Sequence, residues 1–285
     1  MTAELRPGAA TGVDKDVHGT RSARPQDDTA PHACTPAMGA TTSASPRPLP
    51  ALPARMPRAR ALEVLATCDV YGITDRWLSR THDTVADVAA MLAAGVRVVQ
   101  YRDKPRPGDD PQSELERWRC AYELRRLTAD AGALLIVDDD AALAVAVDAD
   151  GVHVGQDDLR VEAVRRVVGD RIIGLSTHSP EQGAAAMATS ADYVGVGPLF
   201  ATHTKANVCA PVGLAYLDWS VANQRLPFVA IGGIKEHNLE EVAAHGARCV
   251  CLVSDVVGAE DVGAKVRRLR ELMARGHERR ERELG

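Results

Sequence analysis

The sequence has few aromatic residues, no long apolar run and no paired cysteine motif. Phe, Trp and Tyr make up 4% of its 285 residues, so Ala, Val and Leu must build the core, which suits helices packed on parallel strands. No apolar stretch approaches the roughly 20 residues that span a bilayer. The amino terminus also lacks the apolar region of a secretory signal. These absences favour a globular protein of the cytoplasm over a membrane or secreted protein.

Cysteine spacing and charge exclude further classes. The six cysteines are scattered without C-x-x-C spacing, which argues against a zinc site and against a disulfide framework. The net charge of −5 provides no broad attraction to nucleic acid or to an anionic membrane. We therefore expect no nucleic-acid or membrane partner, and any anion site must be local.

Composition divides the chain into a folded part and two tails. Residues 1–57 are rich in Pro, Ala, Thr, Ser and Arg and show no apolar period. Such a segment cannot bury enough apolar area to offset the entropy of ordering, so we predict a disordered N-terminal extension. Residues 276–285 are predicted to form a charged, fraying helix end. Residues 58–275 are then the folded domain.

Eight short β-branched runs alternate with helical stretches along the folded domain. Eight such repeats are what a (β/α)8 barrel requires, so we predict a single (β/α)8 TIM barrel. A doubly wound open sheet is the alternative, but the first unit lacks the G-x-G-x-x-G turn of that fold. The predicted strands are 68–74, 96–102, 133–138, 151–154, 171–176, 192–197, 227–233 and 248–254.

Two cations and an amide follow the second predicted strand, at the end where barrel enzymes carry their chemistry. Gln100, Arg102 and Lys104 alternate along an extended chain, so all three should point into the barrel mouth. This set suits a phosphate group, with Arg as a planar fork and Lys as a point charge. A solvated strand end with a salt bridge to Asp103 is the alternative.

Acidic residues follow the next two predicted strands. Asp138, Asp139 and Asp140 end the third strand, and Asp157 and Asp158 follow the fourth. One of the triplet should cap the following helix, since Asp is a good N-cap residue. The other carboxylates lie on neighbouring loops, and Mg²⁺ is usually held by one or two carboxylates with water and substrate phosphate. We therefore predict a magnesium site shared with a phosphate.

The loop after the sixth strand carries hydroxyls and an ammonium, in Thr202, Thr204 and Lys205. This combination on a loop bounded by Gly and Pro resembles an anion clamp that closes over a substrate. An ordinary surface loop with an incidental T-x-T-K sequence is an equally good interpretation of this stretch by itself.

A second anion site is indicated after the last two strands. Gly232 and Gly233 follow the seventh strand, and Ser254 ends the eighth. Glycines let backbone N–H groups approach an anion closely, and the loops after strands 7 and 8 are the recurrent phosphate site of this barrel. Two anion sites suit an enzyme that joins or splits two phosphorylated small molecules.

Two histidines and a serine lie near the same end of the barrel. His153 lies within the fourth strand and is expected to be a packed or hydrogen-bonded core residue. Ser176 ends the fifth strand, and Ser179 is a good cap for the helix that follows. His178, between them, is expected to be exposed.

Six motifs that contain these residues occur in order along the chain. They are YGITD, VVQYRDK, ADGVHVGQDDL, IIGLSTHS, ADYVGVGPLFATHTK, and VAIGGI followed by NLEEV and GARCVCLVS. The series resembles the thiamine phosphate synthase family over roughly residues 65–260. The resemblance implies a (β/α)8 barrel that joins 4-amino-5-hydroxymethyl-2-methylpyrimidine diphosphate to thiazole phosphate. It implies that the enzyme uses Mg²⁺ and releases pyrophosphate.

The resemblance also implies a role for each site residue, with Arg102, Lys104 and Lys205 as the catalytic cations. The chain departs from the usual family pattern with Asp138 where Asn is common and Ala201 where Pro is common. The implied sites are Arg102, Lys104, Thr202, Thr204 and Lys205 for the diphosphate; Asp139 and Asp158 for Mg²⁺; Gln100, Asp138 and Ser176 for the pyrimidine; and Gly233, Val253 and Ser254 for the thiazole phosphate.

Two alternative functions remain open at this point. One is a thiazole tautomerase-like paralogue, which would use a histidine near His178. The other is a non-catalytic sensor that binds thiazole phosphate. Retention of Arg102, Lys104 and Asp158 favours the synthase, because a tautomerase has no diphosphate to hold. The substrates would be small molecules, and a homo-oligomer is compatible with the sequence.

Overall fold

A computed structural model describes residues 50–104, 113–202 and 209–285. Its regular elements are eight strands and ten helices, counted within these ranges. The strands are β1 Tyr71–Ile73, β2 Val98–Tyr101, β3 Leu134–Asp138, β4 Gly151–Val154, β5 Ile172–Thr177, β6 Tyr193–Val196, β7 Phe228–Ile231 and β8 Val250–Cys251. The helices are α1 Arg58–Ala66, α2 Thr84–Ala93, α3 Glu114–Asp130, α4 Ala141–Ala146, α5 Val161–Val168, α6 Pro180–Ala186, α7 Gly213–Asn223, α8 Leu239–Ala244, α9 Val253–Val257 and α10 Val262–Leu284.

The eight strands form one parallel sheet in chain order. A parallel bridge between Val70 and Val250 brings the last strand back to the first. The Val250 amide also donates to the Asp69 carbonyl oxygen at 2.9 Å. The sheet is therefore a nearly closed barrel, and the predicted (β/α)8 fold is confirmed. Each predicted strand contains an observed one, apart from a single extra residue at the end of β5.

Alternation along the strands separates the core into two layers. Successive side chains point to opposite faces of a sheet. Tyr71 and Tyr193 meet across the barrel interior, where their Oη atoms lie 2.7 Å apart. The interior cluster also contains Ala61, Val64 and Leu65 of α1, so this helix closes the amino-terminal end of the barrel. The larger cluster lies outside, between the strands and the surrounding helices.

Several helices begin at side-chain caps that are readable in the sequence. Asp83 accepts hydrogen bonds from the Val85 and Ala86 amides at the start of α2. Ser113 and Glu116 form a capping box at the start of α3. Each cap satisfies amide groups that have no partner within the helix. These caps start helices immediately after the loops that surround the barrel mouth.

The folded part extends beyond the predicted boundary at residue 57. The predicted tail included residues 50–57, which the structure instead places against the barrel. The buried Arg125 donates from Nη2 to the Pro53 carbonyl oxygen at 3.1 Å, and the Tyr122 hydroxyl donates to the Pro50 carbonyl oxygen. Arg55 pairs with Asp170 at 2.6 Å. Composition missed these contacts because the partners are distant in sequence. The predicted disorder of residues 1–49 lies outside the described residues.

The helix at the other end crosses the predicted boundary at residue 275. Helix α10 continues to Leu284, and Gly276 is buried against α8. His277 is hydrogen bonded through Nε2 to the Ala247 carbonyl oxygen at 2.8 Å. Residues 276–284 therefore continue a helix of the barrel. Among the described residues, no helix is both long and apolar enough to cross a bilayer.

Candidate active site

Arg102 is fixed between two carboxylates at the carboxyl ends of the first strands. Its Nη1 donates to Asp75 Oδ2 at 3.0 Å, and its Nε lies 3.6 Å from Asp138 Oδ2. All three side chains are less than a tenth exposed. The Thr74 hydroxyl accepts from the Arg102 amide at 2.9 Å and donates to its carbonyl oxygen at 3.0 Å. Because removing a charge from water is costly, this cation depends on its two acidic partners.

Lys104 brings together the acidic residues of two neighbouring loops. Its Nζ forms an ion pair with Asp139 Oδ2. Burial lowers the pKa of Lys104, but Asp139, Asp138 and Asp158 together raise it above its usual value. Carboxylates from the loops after β3 and β4 thus stabilise the charge of one ammonium, and the metal site that they would share stays a prediction. Asp158 also accepts from the Gly155 amide at 2.8 Å, which shapes the loop after β4.

The three aspartates at the end of β3 have different environments. Asp140 is the helix cap that the triplet predicted, and it accepts from the Leu143 amide at 2.8 Å. Asp139 has a backbone φ of +58°, which is unusual outside glycine although Asp tolerates it better than most residues. Asp138 is buried beside Arg102. Capping therefore accounts for one carboxylate and leaves two at the mouth.

The predicted pyrimidine residues lie on opposite sides of the barrel. Gln100 on β2 is buried, and its Nε2 donates to Tyr71 Oη at 3.2 Å. Ser176 on β5 lies 2.9 Å from His153 Nε2. His153 is buried and hydrogen bonded, as expected for a core histidine. Both predicted contacts are thus held from below by residues in the barrel interior.

The loops after β7 and β8 carry the residues of the second predicted anion site. Gly232 and Gly233 have φ of +93° and +66°, values that favour glycine. A Cβ on Gly233 would lie 2.6 Å from the Ala201 carbonyl oxygen. The Gly-Gly turn therefore packs directly on the segment after β6. Ser254 Oγ contacts Lys235 Nζ, which also lies 2.7 Å from Asp255 Oδ1.

The loop after β6 is described in part. Thr202 lies half-buried at the edge of the described segment, whereas Thr204 and Lys205 lie outside the described residues. His178 was expected to be exposed but is half-buried, with Nδ1 2.6 Å from the Gly197 carbonyl oxygen. The anion clamp on this loop stays a prediction.

Comparison with known proteins identifies the family. A profile described as thiamine monophosphate synthase matches residues 70–256. A thiamine-phosphate synthase of Pelotomaculum thermopropionicum is 52% identical over 221 residues, which are 77% of this chain and 99% of that protein. The chain belongs to the thiamine monophosphate synthase family. A second relative with the same name, from Lawsonia intracellularis, is 45% identical over 210 residues, 73% of this chain and 94% of its own.

Solved structures agree with this assignment to the thiamine monophosphate synthase family. A thiamine phosphate pyrophosphorylase from Pyrococcus furiosus has a TM-score of 0.66 and 34% identity, and the match covers 75% of this chain and 99% of that one. A 3-hexulose-6-phosphate synthase from Salmonella typhimurium has a TM-score of 0.53 at 15% identity and shares the fold alone. The relatives named here lend no support to a tautomerase-like paralogue or to a sensor.

Several residues of this family member escaped sequence reasoning. Asp75 and Thr74 fix Arg102, and Lys235 adds a cation beside Ser254. Two signals were available: the polar end of the YGITD motif, and the lysine that follows GGI. Neither signal reveals a contact by itself, because the partner of each residue lies at the end of another strand of the barrel.

The acidic residues at the mouth suit one mode of metal binding. Within the described ranges, no group of three or more His, Cys, Asp or Glu is arranged to hold a metal ion. Mg²⁺ needs no such cage, because it commonly takes one or two carboxylates and fills its other positions with water and phosphate. Asp139 and Asp158, which both act on Lys104, offer that number of carboxylates.

Proposed function

We propose that this protein condenses 4-amino-5-hydroxymethyl-2-methylpyrimidine diphosphate with thiazole phosphate to form thiamine phosphate and pyrophosphate. Membership of the family supports this reaction, as does the 52% identity to a relative named for it. The observation that carries the proposal is the arrangement of Arg102 and Lys104 among acidic residues at the mouth of the barrel. A Gly-Gly turn suited to a second phosphate lies at the same end.

The main chemical requirement of the reaction is stabilisation of the leaving group. In a dissociative course, the bond between the pyrimidine methylene carbon and the diphosphate oxygen breaks first. The thiazole nitrogen then attacks the resulting cation at that carbon. Charge that develops on the departing pyrophosphate must be neutralised by groups that are already in place. This chemistry needs little acid–base catalysis, so cations and positioning supply most of the rate.

We propose that the leaving group is bound by Arg102, Lys104 and the segment from Thr202 to Lys205. Arg102 is held rigidly by Asp75 and Thr74, so it costs little reorganisation when charge develops nearby. Lys104 is about half exposed and is paired with one carboxylate. It can therefore exchange this partner for a substrate phosphate. After this exchange the Lys104 ammonium still has an anionic partner.

Asp139 and Asp158 would hold Mg²⁺ in this proposal. The ion would supply positive charge to neutralise the diphosphate. Chelation should abolish pyrophosphate release, and added Mg²⁺ should restore it. Asp158→Asn should raise the Mg²⁺ concentration needed for half-maximal rate by about tenfold, a difference of about 1.4 kcal/mol in metal binding. The neighbouring exposed Asp157→Asn is the matched control and should leave that concentration within twofold. Equal effects of the two substitutions would contradict the assignment.

The pyrimidine would lie between the ends of β2, β3 and β5, and the thiazole phosphate would lie at the loops after β7 and β8. Gln100, Asp138 and Ser176 would contact the pyrimidine, and the backbone at Gly233, Val253 and Ser254 would hold the thiazole phosphate. Lys235, which contacts Ser254, would add positive charge to that phosphate site. Such placement sets the ring nitrogen against the reacting carbon.

Pyrophosphate release tests the proposed reaction directly. The full chain should release pyrophosphate only when both substrates are present. Lys104→Ala should lower kcat/KM by at least tenfold, whereas Arg60→Ala should leave it within twofold. Arg60 pairs with Glu63 on α1, the helix that closes the amino-terminal end of the barrel, away from the predicted substrate contacts. No release from the intact protein would remove the synthase hypothesis.

Cellular location and assembly complete the proposal. We place the enzyme in the cytoplasm, in keeping with the five described cysteines, none of which forms a disulfide, and with disulfides being rare in that compartment. Its partners would be the two small-molecule substrates. Homo-oligomerisation stays a hypothesis, which light scattering of the purified chain would test.

A further inference from the structure

A chain of hydrogen bonds crosses the barrel interior below the mouth. Gln100 Nε2 donates to Tyr71 Oη at 3.2 Å, and Tyr71 Oη lies 2.7 Å from Tyr193 Oη. Tyr193 Oη lies 3.0 Å from His153 Nδ1. His153 Nε2 in turn lies 2.9 Å from Ser176 Oγ. Two residues that would contact the pyrimidine, Gln100 and Ser176, are thus the two ends of one chain.

The barrel makes specific room for this chain. Tyr71 and Tyr193 are 2% and 1% exposed, and buried hydroxyls require hydrogen-bond partners. Gly174 lies beside them on β5, where a Cβ would overlap both the Tyr193 ring and His153 Nδ1. Burial raises the pKa of both tyrosines, and hydrogen bonds from the Gln100 amide lower the pKa of each. The Gln100 nitrogen therefore faces inward, toward both phenols.

The direction of the chain follows from which groups can donate. An amide nitrogen only donates, so Tyr71 Oη accepts from Gln100. Among the described residues, Tyr193 Oη is the acceptor that lies within reach of the Tyr71 O–H. Tyr193 then donates to His153 Nδ1, which leaves the proton of the neutral imidazole on Nε2. The reverse direction would leave a buried hydroxyl without an acceptor, which is unfavourable.

This direction determines what each end presents to a ligand. His153 Nε2 donates to Ser176 Oγ, so the Ser176 hydroxyl hydrogen remains as a donor at the mouth. The inward-facing nitrogen of Gln100 leaves its amide oxygen Oε1 as an acceptor. The barrel therefore presents one donor and one acceptor of defined position on opposite sides of its mouth.

We propose that Tyr71, Tyr193 and His153 are positioning residues that orient Gln100 as an acceptor and Ser176 as a donor for the pyrimidine. The inference rests on the proposed function and deepens it. An aminopyrimidine carries an amino donor and ring-nitrogen acceptors, which match these two groups. A pyrimidine with a carbonyl in place of the amino group would face the Gln100 oxygen with a second acceptor. The hydrogen-bond chain therefore makes the site selective for a pyrimidine that carries the amino group.

The tautomer of His153 tests the direction of the hydrogen-bond chain, and its measurement does not depend on enzyme activity. Nitrogen-15 NMR of the ligand-free full chain, with the signal assigned by its loss in His153→Gln, should show the proton on Nε2. A proton on Nδ1 would overturn the inference. Because no substrate is present, this result is separate from the outcome of the pyrophosphate assay, which decides the proposed function.

A double-mutant cycle tests the positioning role. Tyr193→Phe should raise the KM for the pyrimidine diphosphate about tenfold, the effect of one lost hydrogen bond, and leave the KM for thiazole phosphate within twofold. In a Ser176→Ala background, the same substitution should raise the pyrimidine KM by less than threefold, because residues that act through one another are not additive. A full tenfold effect in that background, or equal rises for both substrates, would overturn the proposal.

A matched control separates positioning from general stability. Tyr216→Phe removes another buried tyrosine hydroxyl, which donates to Thr177 Oγ1 at 2.7 Å and is not a member of the hydrogen-bond chain. This variant should change neither KM by more than twofold. If Tyr193→Phe fails to fold, Tyr71→Phe breaks the chain at its other hydroxyl. It should show the same selective rise in the pyrimidine KM, and an unchanged value would overturn the proposal.

Discussion

Asp75 and Arg102 form a buried ion pair that joins the loops after β1 and β2. The two atoms, Oδ2 and Nη1, lie 3.0 Å apart, and the side chains are 3% and 8% exposed. Removing one partner of a buried pair leaves an uncompensated charge, which commonly costs about 3–5 kcal/mol. Asp138, the second carboxylate beside Arg102, should reduce this cost.

We therefore expect Asp75→Ala to lower the free energy of unfolding by about 2–3 kcal/mol and to reduce pyrophosphate release. Urea unfolding and the release assay measure the two effects. Glu63→Ala is the control, because it breaks an exposed pair with Arg60 and should cost less than about 1 kcal/mol. Equal costs for the two variants would show that the buried pair contributes little.

The family resemblance implies Asn at position 138, and the contact of Asp138 with Arg102 gives this difference a physical consequence. Asp138→Asn keeps the shape and an acceptor oxygen, so kcat/KM should stay within about threefold of the intact protein. Asp138→Ala removes the carboxylate that lies 3.6 Å from Arg102 Nε and the acceptor proposed for the pyrimidine amino group. Hydrogen bonds to charged groups contribute about 1.5–3 kcal/mol, so this variant should lose at least tenfold in kcat/KM. A large loss in Asp138→Asn would indicate that the charge itself is needed.

The contacts of residues 50–57 predict different outcomes for two truncations. Deleting residues 1–49 should leave the melting temperature and activity unchanged. Deleting residues 1–57 removes Pro53 and Arg55, and with them partners of the buried Arg125 and of Asp170. The longer deletion should lower the melting temperature by several degrees, since about 1 kcal/mol shifts it by about 2–4 °C in a domain of this size. Identical melting curves would contradict this packing role.

Gly233 and Gly169 form a natural pair for testing the phosphate loop. Both have positive φ, +66° and +65°, so Ala at either position meets a backbone penalty, and the ψ of −124° at Gly169 makes that position at least as unfavourable for Ala. A Cβ at Gly169 has open space, whereas one at Gly233 would lie 2.6 Å from the Ala201 carbonyl oxygen. Gly233→Ala should raise the KM for thiazole phosphate at least tenfold, and Gly169→Ala should not change it. Unchanged kinetics in Gly233→Ala would remove this loop from the phosphate site.

Much of the site was predictable because its signals are local in sequence. Gln100 and Arg102 share a face because side chains alternate along a strand, and both point toward the barrel interior, whereas Lys104 lies beyond the end of β2 and pairs with Asp139. The Asp triplet predicted one helix cap, and Asp140 is that cap. The roles of these residues toward substrates stay predictions until the assays are done.

By itself, the sequence determined the number and order of the strands, and therefore which polar residues lie at the mouth of the barrel. Both properties depend on periodicity and caps that act over a few residues. Only the tertiary structure decided the partners: Asp75 for Arg102, the tyrosine pair between Gln100 and Ser176, and Pro53 for Arg125. These contacts join residues 27 to 122 positions apart, and the packing of strands, helices and the N-terminal segment in the folded domain brings them together.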